Sequence, residues 1–456
     1  MQLRTPTATS HREQDVPRLG CAAAFWAALL LTIPRMASRT DLPPPLRRRV
    51  AVVLSGGGAR GAYEVGVLSW IFEEITRLKG RPPRLHILAG TSVGAINACF
   101  LAAHMGDPVL GMRRLVELWL DLHTTQVLGF GPAHLAQLPK LLFGGGTDGI
   151  GLFDSRPMQH IVETEITWRA ISRCLERHEL RALSISTNEV QTGRTHVFMQ
   201  TSPDWELPRM APPRTLFRAA TITSDHALAS AAIPLIFPPV RIAGELFLDG
   251  GLRQNTPIAP ALRLGATHVL AIGSSREVRG TAKSESAAPS RSAPSAPFLL
   301  GKVLNAFLLD HFDADIELLA RLNHVIEDGE HAFGSSFAGV MNAAARARGG
   351  PSYRSVRALA IRPSEDIGRL AADHIRRGQY RADAFLSRRM YSIFDLGFSN
   401  EADLASYILF DGVFARRLIE MGRADARARR EELVAFFDED LDVDLAPPPS
   451  SPLGFA

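Results

Sequence analysis

Short apolar runs recur along this chain, each closed by glycine, proline or small polar residues. Arg49-Val50-Ala51-Val52-Val53-Leu54 is dense in β-branched residues and reads as a buried parallel strand. Leu85-His86-Ile87-Leu88-Ala89 is short enough for another. Strands are also predicted at Ala182–Thr187, His196–Met199, Glu245–Leu248, Val269–Ile272 and Ala358–Ile361. Elsewhere the period lengthens. From Ala62 to about Leu78, one side of a helix collects Val65, Leu68, Ile71, Phe72 and Ile75. Ala95–Ala103 predicts a second helix, residues 107–180 a mostly helical insertion, and Leu228–Pro234 a helix of small residues ending at a proline. Ala402–Met421 predicts a long helix with Leu404, Tyr407, Ile408, Phe410, Leu418 and Ile419 available for burial.

Polar residues at the strand tips carry the chemistry. The second strand runs into Gly90-Thr91-Ser92-Val93-Gly94, and a helix follows at once. A serine thus stands where a strand turns sharply into a helix, the context that G-x-S-x-G requires. Gly90 and Gly94 have a mechanical reason, since a tight elbow crowds the backbone and residues without Cβ let its flanks approach. The helix amides behind the serine favour the negative charge that an attacked ester develops. The first strand opens into Ser55-Gly56-Gly57-Gly58-Ala59-Arg60-Gly61. Gly56, Gly58 and Gly61 fit G-x-G-x-x-G, but a dinucleotide site expects an acid near the end of the next strand, and Gly90-Thr91-Ser92 has none. A Walker loop fails as well, because Ala62 follows Gly61 where lysine should lie. An oxyanion hole remains: neighbouring parallel strands end on the same side of a sheet, so the amides of Gly57 and Gly58 would lie across from Ser92. Arg60 either fixes that loop, adds positive field, or is a plain surface arginine. A further tip carries Asp249-Gly250-Gly251, which reads as a functional loop or as an ordinary Asp-Gly turn.

A serine hydroxyl needs a base, and histidine is the usual one. His268 follows Asp249 but precedes Val269-Leu270-Ala271-Ile272, so it begins its strand, about 17 Å from the tips that carry Ser92 and Asp249. His86 fails in the same way, His104 lies about three turns along the elbow helix, and His311 has no strand-end context. No histidine fits by position, which leaves Asp249 acting directly on Ser92.

Composition narrows the partners. Of 456 residues, 46% are hydrophobic and 21% charged, so a large core is available. The net charge of +4 comes without a Lys/Arg run interleaved with aromatics, which speaks against a nucleic-acid binder; attraction to an anionic membrane surface stays open. Cys21, Cys99 and Cys174 are scattered without metal spacing, which argues against a disulfide framework and for a reducing, cytoplasmic setting. Residues 1–46 hold an apolar run, Cys21–Ile33, too short to span a bilayer. They are expected to be a non-structural tail, a weak anchor or a start misplaced upstream of Met36, ahead of a cleaved signal. Residues 276–297 are Ser/Ala/Pro-rich and read as a flexible linker, and 446–456 as a disordered tail. Pro139-Lys140-Leu141-Leu142-Phe143, beside Gly144-Gly145-Gly146 and Gly149, reads as a lid, a lipid-facing patch or an ordinary loop.

The motifs G-G-G-x-R-G at Gly56–Gly61, G-x-S-x-G at Gly90–Gly94 and D-G-G at Asp249–Gly251, in that order, resemble the patatin-like phospholipases. Ala231-Ala232-Ile233-Pro234 and Asp249–Pro257 look like segments of the same family. The resemblance covers roughly residues 47–275, the expected catalytic domain, and leaves 298–445 as a mostly helical C-terminal region with one further strand. It implies a three-layer α/β/α fold with a mostly parallel central sheet, and a lipid acyl hydrolase that needs neither metal nor cofactor. By position it makes Ser92 the nucleophile and Asp249 the proton acceptor. Gly56, Gly57, Gly58, Arg60 and Gly61 become the oxyanion loop, Gly90 and Gly94 the elbow, and Gly250 and Gly251 the dyad loop. The substrate it implies is a phospholipid or other fatty-acyl ester. Two other readings stand beside it: a catalytically silent lipid-binding or scaffold protein, and a nucleotide-binding protein using Gly56–Gly61.

Overall fold

The computed structural model describes residues 48–129, 153–208, 211–276, 302, 312–348, 350, 352–378 and 403–438. The expected N-terminal tail, the segment 139–149, nearly all of the expected linker and the C-terminal tail lie outside the described residues.

Among the described residues, nine strands form one sheet. They are β1 (Val50–Leu54), β2 (Ile87–Thr91), β3 (Ala182–Glu189), β4 (Thr195–Thr201), β5 (Thr215–Ala219), β6 (Val240–Ile242), β7 (Glu245–Asp249), β8 (His268–Ile272) and β9 (Arg357–Ile361). The main path runs β5-β4-β3-β2-β1-β8-β9, with β7 joined to β3 and β6 to β7. Pairing is parallel from β3 through β9 along that path, and antiparallel at β3–β4, β3–β7 and β6–β7. β5 and β6 go beyond the predicted strands; both are half-exposed, so they lack the apolar runs that revealed the others.

Strand alternation builds two cores. Val50, Val52 and Leu54 of β1 pack on one face with α1 (Gly61–Lys79) and α2 (Val93–Ala103). Ala51 and Val53 pack on the other with Ile258 and Ala261 of the short helix α3 (Ile258–Arg263) and Phe312 and Leu319 of α4 (Phe312–Phe333). Burial of both faces explains why these strands read as continuous apolar runs. The result is three layers, α/β/α, around a mostly parallel sheet.

The C-terminal residues join the first of these cores. Leu359 and Ile361 of β9, Leu404 and Tyr407 of α5 (Asp403–Ile408), and Phe414 and Leu418 of α6 (Gly412–Ala428) all belong to it. α6 lies so close along α1 that a side chain on Gly66 would meet the Ile419 carbonyl. The long helix predicted at Ala402–Met421 is broken between α5 and α6. Asp411 takes the N-cap of α6, its carboxylate accepting from the amides of Val413 at 3.0 Å and Phe414 at 3.1 Å.

Candidate active site

β3 is longer than β2, and its overhang builds the site. Ala182–Ser186 pair with Ile87–Thr91 of β2, and the next three residues pair with β7, Thr187 lying opposite Asp249. β4 covers the other side of β3. β2 and β7 therefore occupy the same lane of the sheet, end to end and in opposite directions. Ser92 leaves the tip of β2 just where Asp249 ends β7. The sequence reading placed Asp249 at the exit of a parallel strand; the strand is antiparallel, and the two tips meet because they converge head-on.

Ser92 holds φ 55° and ψ −130°, a conformation that residues with side chains rarely adopt. A side chain on Gly90 would strike the Gly94 carbonyl, so the elbow closes only with glycine there. The strained turn is pinned by Ser230, whose Oγ accepts from the Ser92 amide at 2.9 Å and donates to the Ser186 carbonyl at 2.7 Å. Ser92 Oγ donates to Asp249 Oδ2 at 2.6 Å, and both residues are buried, Asp249 completely. Asp249 Oδ1 accepts from the Gly251 amide at 2.7 Å. Asn188 grips the same loop, its Nδ2 donating to the carbonyls of Asp249 at 2.7 Å and Gly250 at 3.2 Å. Burial pushes the Asp249 carboxyl up to about 7, against the lowering effect of the Ser92 and Gly251 hydrogen bonds. Ser230 and Asn188 escaped the sequence reading because neither belongs to a motif.

The glycine loop lies beside this pair. A Cβ on Gly56 would stand 3.0 Å from Ser92 Cβ. Gly56 is tied down by its amide to the Asn255 carbonyl at 3.1 Å and by Ser274 Oγ donating to its carbonyl at 2.7 Å. Among the described residues, no backbone carbonyl takes the N–H of Gly57 or Gly58. Gly58 shares a cavity with Ser92; Gly57 and Arg60 are not in its wall. Arg60 is buried and not a surface residue, its Nε donating to Ser406 Oγ at 2.8 Å. Gly61 backs onto Val93 of the elbow, and Gly250 onto the Ser186 carbonyl. A side chain on Gly56, Gly57 or Gly58 would meet Asn255, Ser274 or the Tyr407 carbonyl.

The cavity beside Ser92 is lined mainly by apolar side chains. Val93, Ile96, Phe100, Leu115, Trp119 and Phe237 are among its largely apolar lining, with Ser92 at its wall. Asn97 is one of its few polar groups, accepting from Trp119 Nε1 at 3.1 Å and donating to Glu64 Oε2 at 3.2 Å. Burial raises the Glu64 carboxyl well above the usual range, against the lowering effect of the Asn97 and Ser55 hydrogen bonds.

No histidine is bonded to Ser92 or Asp249 among the described residues. His268 pairs with Val50 at the opposite end of the sheet and stacks edge-on against Phe436. His268→Ala is therefore expected to keep ester-hydrolysis rates within about threefold of wild type, because a distant substitution reaches the site only through packing. A loss as deep as that of the serine variant would restore a triad.

A serine elbow on an α/β sheet, closed onto a buried carboxylate beside a glycine loop, defines the class of site. Residues 52–262 match the patatin-like phospholipase family. A probable lipid hydrolase of invertebrate iridescent virus 6 is 26% identical over 218 residues, 46% of this chain and 63% of that protein. A cGAMP-activated phospholipase of Pseudomonas aeruginosa is 29% identical over 208 residues, 45% of this chain and 53% of that protein. The chain thus spans less than two thirds of the length of either relative. Among solved structures, human GIVD cytosolic phospholipase A2 is 13% identical with a TM-score of 0.35, covering 91% of this chain and 62% of that one.

Proposed function

We propose that this chain is a serine-dependent lipid acyl hydrolase that cleaves fatty-acyl esters of phospholipids. The observation that carries the reading is the 2.6 Å bond from Ser92 Oγ to Asp249 Oδ2 on the wall of an apolar cavity. The acyl chain lies in the cavity, where its methylenes leave water at about 0.8 kcal/mol each. Asp249 takes the hydroxyl proton as Ser92 Oγ attacks the ester carbonyl. The glycine loop, through Gly58 on the cavity wall, faces the oxygen that becomes negative; one such donor is worth roughly 2.7–4 kcal/mol in the transition state. The proton passes to the departing alcohol and leaves an acyl-Ser92 ester. Water then gives its proton to Asp249, its oxygen attacks the acyl carbon, and the fatty acid leaves as Ser92 regains its hydrogen.

Attack on a phospholipid brings the protein to a bilayer, and the reading makes that contact peripheral. Among the described residues no helix is long and apolar enough to cross a membrane. Cys99 and Cys174 are free and buried, which supports a reducing, cytoplasmic setting.

Lipid-class profiling tests the substrate. Vesicles of mixed phospholipids and neutral glycerides incubated with wild type are expected to release fatty acid mainly from the phospholipid. Release only from the neutral glycerides would overturn the phospholipid assignment. Binding without any release would make the protein a silent lipid binder.

A further inference from the structure

The family match ends at residue 262, yet part of the Ser92 cavity is built much later in the chain. Tyr407, Ile408 and Phe410 line it together with Gly58 and Ser92. α5 also reaches the glycine loop itself. Arg60 Nε donates to Ser406 Oγ at 2.8 Å, and the guanidinium carbon stands 4.3 Å from the centre of the Tyr407 ring, within cation–π range. Gly58 has φ 55°, and the Tyr407 carbonyl fills the space that any side chain there would need. Ser406 and Tyr407 are both fully buried.

This segment is anchored independently of the loop. Thr124 Oγ1 donates to the Phe410 carbonyl at 2.9 Å. Gly412 abuts the carbonyl of Leu120, and α6 beyond it is locked along α1, with Arg423 paired to Glu73 and Tyr63 donating to Asp425 at 3.0 Å. The glycine loop has the opposite character. Gly56, Gly57 and Gly58 carry no side chains, so beyond the backbone anchors on Gly56 the loop offers few side-chain holds of its own. Arg60 is the one long side chain between Gly56 and Gly61, and it is held by Ser406, Tyr407 and the Ser274 carbonyl.

We propose that Ser406 and Tyr407 are positioning residues for the oxyanion loop: the C-terminal segment grips Arg60 and thereby sets where the Gly57 and Gly58 amides stand. The proposal rests on the ester-hydrolase reading above. An oxyanion donor acts only when fixed near 2.7–3.1 Å from the oxygen as charge develops, so a loosened loop weakens the transition state and leaves ground-state binding alone. The grip therefore belongs to kcat, while the apolar wall of Tyr407, Ile408 and Phe410 belongs to acyl-chain binding.

The test uses the full chain, p-nitrophenyl butyrate as substrate, and a fluorophosphonate titration that expresses kcat per reactive site, so that partial misfolding of a variant does not enter the rate. Ser406→Ala is expected to lower kcat about tenfold with KM within about twofold, the effect of losing one hydrogen bond to a charged group. Arg60→Ala is expected to cost more, and the double variant no more than Arg60→Ala alone, because both changes release the same loop. Tyr407→Leu, which removes the ring under the guanidinium, is the second variant and is expected to follow Ser406→Ala in kcat. An unchanged kcat per site in both Ser406→Ala and Tyr407→Leu, or losses that multiply in the double variant, would overturn the positioning role. Wild type that neither turns over nor labels would instead remove the hydrolase reading, and this proposal with it.

Discussion

Ser92→Ala is expected to lower ester turnover on the order of 10⁴-fold or more, the scale at which loss of a catalytic nucleophile leaves only binding and oxyanion stabilisation. The fold is expected to survive. The substitution removes one oxygen from a residue that is 2% exposed, and alanine occupies φ 55° no worse than serine does. The amide anchor to Ser230 Oγ at 2.9 Å stays, because it comes from the backbone. Two measurements check the outcome on the same samples. Initial rates with p-nitrophenyl butyrate should vanish into background for the variant, and intact mass after fluorophosphonate treatment should show one adduct on wild type and none on Ser92→Ala. Turnover within tenfold of wild type, or an adduct that persists, would move the nucleophile elsewhere.

The two strand tips that meet were legible because each is a polar residue at the end of an apolar run, Ser92 between Gly90 and Gly94 and Asp249 ahead of Gly250 and Gly251. What periodicity does not carry is strand direction. An apolar run such as Glu245–Leu248 looks alike whichever way it lies, and β7 proved antiparallel to β3. The meeting of Ser92 with Asp249 depends on that reversal and on the overhang Thr187–Glu189 that β7 needs as a partner. Ser230 and Asn188 were hidden because neither belongs to a motif, and only tertiary contacts reveal their use. The break between α5 and α6 did leave a signal. Asp411-Gly412 has the chemistry of an N-cap and lies inside the apolar spacing that predicts one helix. Ser406 left none: its partner Arg60 lies far away in sequence, and neither spacing nor composition links them.

Asp249→Asn is expected to abolish turnover and, at alkaline pH, to stabilise the protein. Both effects have one cause. Burial holds the Asp249 carboxyl at about 7, raised from the 3.8 of a free aspartate. Only the carboxylate accepts a proton from Ser92, so wild-type kcat/KM should rise with pH, reach half its plateau near 7, and fall about tenfold per unit well below that. The stability effect has the opposite sign. Between pH 3.8 and about 7 the folded chain keeps a proton that the unfolded chain has released, so stability falls as pH rises through that window and levels off above it. Asparagine carries no charge to bury and escapes the loss. The gain for Asp249→Asn should therefore be larger at pH 8 than at pH 5, on the order of 2–4 kcal/mol at the upper end. Thermal unfolding of both proteins at the two pH values reads the gain directly, and wild-type rates across pH 5–9 read the base. A flat rate profile, together with an Asn variant no more stable than wild type at pH 8, would mean that Asp249 is ionised at no cost; turnover by Asp249→Asn within tenfold of wild type would mean that it is not the group that takes the proton.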